Sequence, residues 1–175
     1  MTTAHTYILT GFMGAGKSSI GLALSRKANL PFVELDERIE VREGRTIARI
    51  FREAGEDAFR EIEHRVLREL LTTPASTSRI LALGGGAFMH PSILQLIQEK
   101  TCTTVFLDAP PDELFHRCAQ QPGERPLCQN LNDFRNLYEA RRERYLAATL
   151  RVDTGGKDIE TVAAEVACSL GLGKG

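Results

Sequence analysis

The sequence predicts an α/β fold, a parallel sheet with helices on both faces, and three observations carry that prediction. Short β-rich runs alternate with longer stretches of helical periodicity along the 175 residues. A glycine-rich turn, Gly11-Phe12-Met13-Gly14-Ala15-Gly16-Lys17-Ser18, directly follows the first of those runs and opens the first helical stretch. The length suits one domain, residues 1–175, and a content of 42% hydrophobic residues suffices for a sizeable core.

The elements follow in order. Residues 6–10 read as the first strand, and residues 18–28 as a helix because Ile20, Ala23 and Leu24 recur at helical spacing. A second strand covers residues 31–35. Residues 46–71 form a longer helical region with Ile47, Ile50 and Phe51 on one face and Phe59, Ile62, Val66 and Leu70 on another, which a break near Gly55 reconciles. Strands at residues 79–83, 103–107 and 150–152 complete the five runs. Helices at residues 111–118, 131–148 and 158–170 each begin near a proline or an Asp/Asn cap candidate. Residues 120–127, Gln-Gln-Pro-Gly-Glu-Arg-Pro-Leu, are polar and punctuated. They suit a flap over an active site, and equally an ordinary surface loop.

A formal net charge of −1 argues against nonspecific nucleic-acid binding, which needs a basic face. No apolar stretch is long enough to span a bilayer, and the first residues run into a strand without a basic leader. Cys102, Cys118, Cys128 and Cys168 form no C-x-x-C pair and have no histidine at zinc-ligand spacing, so they read as reduced thiols. A cytoplasmic protein with no nucleic-acid or membrane partner is expected.

The glycine-rich turn carries the chemistry. Its glycines reach backbone conformations closed to other residues, so successive N–H groups can surround a polyphosphate while the following helix N-terminus faces it. Lys17 supplies a point charge for the β- and γ-phosphates and Ser18 a hydroxyl for Mg²⁺. A nucleoside triphosphate with Mg²⁺ is the expected ligand.

Parallel sheets bind ligands at the carboxyl ends of their strands. After the second strand, Glu34-Leu35-Asp36 puts two carboxylates on one side of an extended segment, where they can meet Mg²⁺ through water or accept from substrate hydroxyls. A solvated strand end or a helix cap is the alternative, since Glu37-Arg38-Ile39-Glu40 follows. After the third strand, Gly84-Gly85-Gly86 suggests close approach of a ligand or of another backbone, or else a plain tight turn. Asp108, ending the fourth strand, reads as structural. Among the arginines, Arg60 has Glu56 and His64 at helical spacing, Arg125 sits in the polar segment, and Arg141 heads a basic helix face. Taken singly, each of the three has a structural explanation.

Together these pieces resemble shikimate kinases. The resemblance runs through Gly11-Phe12-Met13-Gly14-Ala15-Gly16-Lys17-Ser18, then Leu35-Asp36-Glu37-Arg38-Ile39-Glu40, Gly44, Ile47, Ile50-Phe51, Gly55-Glu56, Phe59-Arg60 and Glu63. It continues through Gly84-Gly85-Gly86, Arg125-Pro126-Leu127, and Arg141 with Tyr145. It implies a P-loop, nucleoside-monophosphate-kinase-like fold with a five-stranded parallel sheet in order 2-3-1-4-5 and a lid at about residues 119–131. ATP phosphates would lie on Gly14, Ala15, Gly16, Lys17, Ser18 and Ser19, with Arg125 arriving from the lid and Arg117 and Lys157 near the adenine. Shikimate would meet Asp36 through its ring hydroxyls, Arg60 and Arg141 through its carboxylate, and the backbone of Gly84, Gly85 and Gly86. Lys17, Asp36 and Arg125 would be the catalytic groups. Glu34 stands where the family usually has aspartate, and it would share Mg²⁺ with Ser18. A monomer is expected.

Two other functions compete. Asp36, Arg60 and Arg141 would also suit a kinase of another small hydroxylated acid, such as gluconate. A nucleotide-dependent switch is the other, although no N-K-x-D guanine signature is present.

Overall fold

The computed structural model describes residues 4–74, 76–120 and 130–172. Five parallel strands form one sheet in the order β2-β3-β1-β4-β5, as the resemblance implies. They are β1 (Thr6–Thr10), β2 (Phe32–Glu34), β3 (Arg79–Ala82), β4 (Cys102–Asp108) and β5 (Leu150–Asp153). Among the described residues seven α-helices connect and cover them: α1 (Lys17–Ala28), α2 (Leu35–Glu43), α3 (Ile47–Thr72), α4 (Pro91–Gln98), α5 (Pro111–Ala119), α6 (Leu131–Tyr145) and α7 (Ile159–Ser169). Central β1 shows why its sequence is so apolar. Both Ile8 and Leu9 are fully buried, as expected where helices cover both faces of a parallel sheet.

Local chemistry sets the helix ends. Asn130 accepts from the N–H groups of Asn132 and Asp133 at the start of α6, and Asp158 accepts from Thr161 N–H at the start of α7. Thr46 caps α3 in the same way through Arg49 N–H. The long helix breaks at Gly55, whose φ of 84° and ψ of 177° are non-helical, and the expected change of face falls at that residue.

Three expectations need correction. The second strand stops at Glu34 and α2 begins at Leu35, so Glu34 and Asp36 are not two residues of one extended segment. Glu34 occupies the cap position with extended backbone, and Asp36 sits in the first helical turn, where a carboxylate is favoured by the helix dipole. A short 3₁₀ turn at Ala87–Met89 and helix α4 follow the triple glycine, and neither was expected. Helix α6 ends at Tyr145, earlier than its apolar pattern suggests.

Tyr145 belongs to the core. Its ring stacks on Phe106 at 5.2 Å, which ties the end of α6 to β4. Among the described residues no helix is long and apolar enough to cross a membrane. Cys102 and Cys168 are free thiols, Cys118 is buried, and Cys128 lies outside the described residues.

Candidate active site

The loop between β1 and α1 turns on glycines with positive φ, Gly14 at 78° and Gly16 at 87°. A Cβ on Gly14 would lie 2.5 Å from Leu114 O and 3.1 Å from Cys118 Sγ, so the loop presses its backbone directly onto α5. Lys17 Nζ donates to the carbonyls of Gly11 (2.8 Å) and Phe12 (3.1 Å), curling over the loop instead of extending into solvent. Ser18 Oγ donates to Glu34 Oε1, linking the α1 N-terminus to the end of β2. Ala15 is fully buried, whereas Ser19 is exposed beside Ser18.

This loop forms one wall of a cavity of about 180 Å³. Glu34 and Asp36 form the second wall, and Leu83, Gly84 and Gly85 the third. Ends of three strands therefore converge on one cleft at the carboxyl edge of the sheet. Burial pushes the Asp36 carboxyl above its ordinary value, with Glu34 and Glu40 adding to the rise and the nearby cations Lys17 and Arg60 opposing it.

That balance has a measurable sign. The folded state holds the Asp36 proton more tightly than the unfolded chain, so its stabilising effect is full below the unfolded value and lost as pH rises through the folded one. Above that window the buried charge costs stability. Asp36→Asn should therefore raise the thermal midpoint at neutral pH while the gain fades toward the ordinary aspartate range. Thermal melts of both proteins across pH test this; a gain that stays constant with pH would reject it.

The triple glycine packs against Asp36 and Arg60. A Cβ on Gly84 would fall 2.7 Å from Asp36 Oδ1, and one on Gly86 would fall 2.7 Å from Arg60 Nη2. Side chains at either place would displace the carboxylate or the guanidinium, so the glycines are a matter of close approach and not only of turning.

Arg60 is held from its own helix. Nη1 donates to Glu63 Oε2 at 2.8 Å, Nη2 donates more weakly to Glu56 Oε1 at 3.4 Å, and the guanidinium lies 5.0 Å from the Phe59 ring centroid. The Glu63 side chain is only 1% exposed. Burial raises its pKa while Arg60 pulls the other way. Arg60 Nε and Glu63 Oε1 are buried without hydrogen-bond partners, so this pair keeps bonding capacity in reserve. Sequence reasoning quoted Glu63 but assigned it no role, because an i,i+3 Arg–Glu pair looks like any solvated helix pair.

Arg141 approaches from α6, its guanidinium 5.8 Å from the Phe12 ring centroid. Beside it, Tyr145 donates to Gly85 O at 2.5 Å and so anchors the middle glycine. Burial pushes the Tyr145 hydroxyl up to about 12, against the pull of Arg141. His90 lies within electrostatic reach of both arginines. Burial first, then Arg60, Arg144 and Arg141, hold its pKa below the usual histidine value, with Glu56 opposing. Arg60 and Arg141, on elements far apart in sequence, thus both act on His90, which occupies the N-cap position of α4 and was not anticipated.

Other expected residues lie farther along the sheet. Arg117 on α5 donates to Thr154 Oγ1 at 3.0 Å and to Thr154 O at 2.8 Å. Lys157, in the same turn after β5, donates to Asp153 O and to Glu165 Oε2. Asp108 is buried and accepts from Tyr138, Arg142 and Arg151, as its structural reading requires. Arg125 lies outside the described residues, as does most of the expected lid.

Comparison with known proteins agrees with this geometry. A family model described as shikimate kinase matches residues 13–170. A shikimate kinase of Thermus thermophilus is 42% identical over 161 residues, covering 90% of this chain and 85% of that protein. One from Aquifex aeolicus is 38% identical, covering 93% and 94%. Among solved structures, a shikimate kinase from Bacteroides thetaiotaomicron superposes with a TM-score of 0.84 at 32% identity over 95% of this chain and 98% of that one. Another, from Acinetobacter baumannii in complex with shikimate, gives 0.83 at 29% identity over 97% and 94%.

Proposed function

The chain belongs to the shikimate kinase family and is an ATP-dependent kinase of shikimate, and on that premise we propose which of its residues carry the transfer of the γ-phosphate to the 3-hydroxyl. One observation supports the assignment above all. Lys17, Asp36 and the backbone of Gly84 and Gly85 line a single cleft, and Arg60 is packed against Gly86 at its margin.

Shikimate would be gripped at two ends. Its carboxylate would lie between Arg60 and Arg141, whose planar guanidinium groups suit bidentate recognition, and the Gly84, Gly85 and Gly86 backbone would pass close enough to donate directly. Asp36 would accept from the ring hydroxyls and orient the one that attacks. Phosphoryl transfer through a loose transition state asks the protein mainly to align that hydroxyl and to stabilise charge on the transferring group. Lys17 would release its contacts with the loop carbonyls and meet that charge. Asp36 would receive the hydroxyl proton late in the transfer, when its acidity is greatest. Gly14, Ala15, Gly16, Ser18 and Ser19 would hold the ATP phosphates, with Arg117 and Lys157 toward the adenine. Arg125 enters this proposal on sequence alone.

The residues present fit Mg²⁺. Ser18 and Glu34 are a contacting pair of hard oxygen donors, and Mg²⁺ typically uses one or two protein oxygens with phosphates and water for the rest. Bound there, the ion would supply neutralisation of phosphate charge. Glu34→Asp should retain activity, while Glu34→Ala should raise the Mg²⁺ concentration that gives half-maximal rate. An unchanged Mg²⁺ dependence in Glu34→Ala would remove Glu34 from the site.

We further propose a single domain over residues 1–175 with its lid at about 119–131, acting as a cytoplasmic monomer without nucleic-acid or membrane partners. Coupled ADP release with shikimate, with gluconate and with no acceptor tests the substrate. Release dependent on shikimate is expected. Faster release with gluconate would reverse the assignment, and release without any acceptor would point to nucleotide turnover alone.

A further inference from the structure

A second cavity, of about 400 Å³, lies away from the active-site cleft, between α2 and the second half of α3. Its walls are two helix faces. Arg38, Val41 and Arg42 present the i, i+3, i+4 face of α2, and Val66, Glu69 and Leu70 present the same spacing on α3. Arg79, at the start of β3, closes one end.

Charge and polarity here are unbalanced. Three guanidinium groups face one carboxylate. Arg42 pairs with Glu69 across the cavity, and Arg79 is held by Leu70 O and Thr6 Oγ1. Among the described residues Arg38 has no polar partner. Between these cations the apolar floor is incomplete. Val66 is buried, but Val41 is 78% exposed although it sits in the middle of a helix face turned toward another helix. An exposed β-branched residue between two arginines, beside the buried Val66 and the half-buried Leu70, matches what a flat or compact apolar body with an anionic end would cover.

We propose that this cavity binds a small organic anion, a carboxylate or phosphate ester with an apolar body, as an effector of acceptor binding. The apolar body would cover Val41, Val66 and Leu70, and the anionic group would meet Arg38 and Arg42. The coupling follows from connectivity. Helix α2 carries Asp36 two turns or less from this face, and α3 carries Arg60 two turns before Val66. Two of the three helices that would hold acceptor-binding side chains, α2 and α3, also form the cavity, so an occupant that changes their separation changes the acceptor site. Reciprocity then requires shikimate to change the occupant's affinity by the same factor.

Phenyl phosphate and inorganic phosphate are suitable probes, titrated into the full chain with ATP present to fill the phosphate loop. Saturable binding of phenyl phosphate, tighter than inorganic phosphate and accompanied by a shift in the KM for shikimate, is expected. Arg38→Ala should weaken it about tenfold, as loss of a charge-assisted bond implies, and Val41→Glu should abolish it. Neither residue touches the cleft, so basal kcat should stay unchanged in both variants, and thermal melts check their fold. No saturable binding in the presence of ATP, binding undiminished in both variants, or binding that leaves the KM for shikimate unmoved would each overturn the proposal.

Discussion

Lys17→Met is expected to lower turnover by a factor on the order of 10²–10³ or more while leaving the fold intact. The ammonium donates to two loop carbonyls, and the side chain lines the cleft instead of the core. Methionine keeps the apolar stem, and each loop-carbonyl hydrogen bond lost from the folded state is worth about 1 kcal/mol net. The transition state loses much more, because a cation aimed at developing phosphate charge in a closed site is far stronger than one in water. A second effect follows in the same variant. Lys17 is the foremost opposing influence on the raised Asp36 carboxyl, so its removal should drive the Asp36 pKa higher still. Steady-state ADP release with a melt of the same preparation checks the first effect, and the acid limb of any residual rate checks the second. Near-normal ADP formation would refute the role given to the loop.

Arg60→Ala and Arg141→Ala should each weaken shikimate binding by about 2–5 kcal/mol, with much smaller effects on ATP. Their side effects should differ. Arg60→Ala strands Glu63, whose side chain is 1% exposed and whose pKa burial already raises, so that variant should also lose stability and take up a proton at Glu63. Arg141 holds no such buried carboxylate, and its variant isolates recognition of the substrate carboxylate. Calorimetric titration of both ligands into both variants is the test. Equal losses for ATP and shikimate would exclude the carboxylate role.

Much of this architecture was legible because its signals are local. The turn at residues 11–18 sits between an apolar run and a helical pattern, and the change of hydrophobic face at Gly55 marks the break in α3. The start of α2 was not legible. Glu34-Leu35-Asp36 satisfies the period of a strand and of a helix start alike, and only the pairing of β2 with β3, which ends at Glu34 and Ala82, decides between them. Helix α4 was missed because eight residues after a proline give too little periodicity to register. Within the site, Asp36 and Arg60 could be named from motif resemblance. The support beneath them could not, since the burial of Glu63 and the bond from Tyr145 to Gly85 arise from tertiary packing across dozens of residues.

The strand order carries an implication for how such an enzyme can change its acceptor. Asp36 and Arg60 both fall in the uninterrupted stretch from β2 through α3, on one flank of β1, while the α5 and β5 turns that hold Arg117 and Lys157 lie on the other flank. A graft from Asp36 through α3 together with the triple glycine, leaving Glu34 on Ser18, would re-specify the proposed acceptor side without disturbing the proposed nucleotide half. Arg141 and Tyr145 break this modularity, because they cross from α6 to reach the grafted side. A transplanted segment would have to present a backbone carbonyl where Gly85 now meets Tyr145, or the two halves would fold beside each other without sharing a substrate.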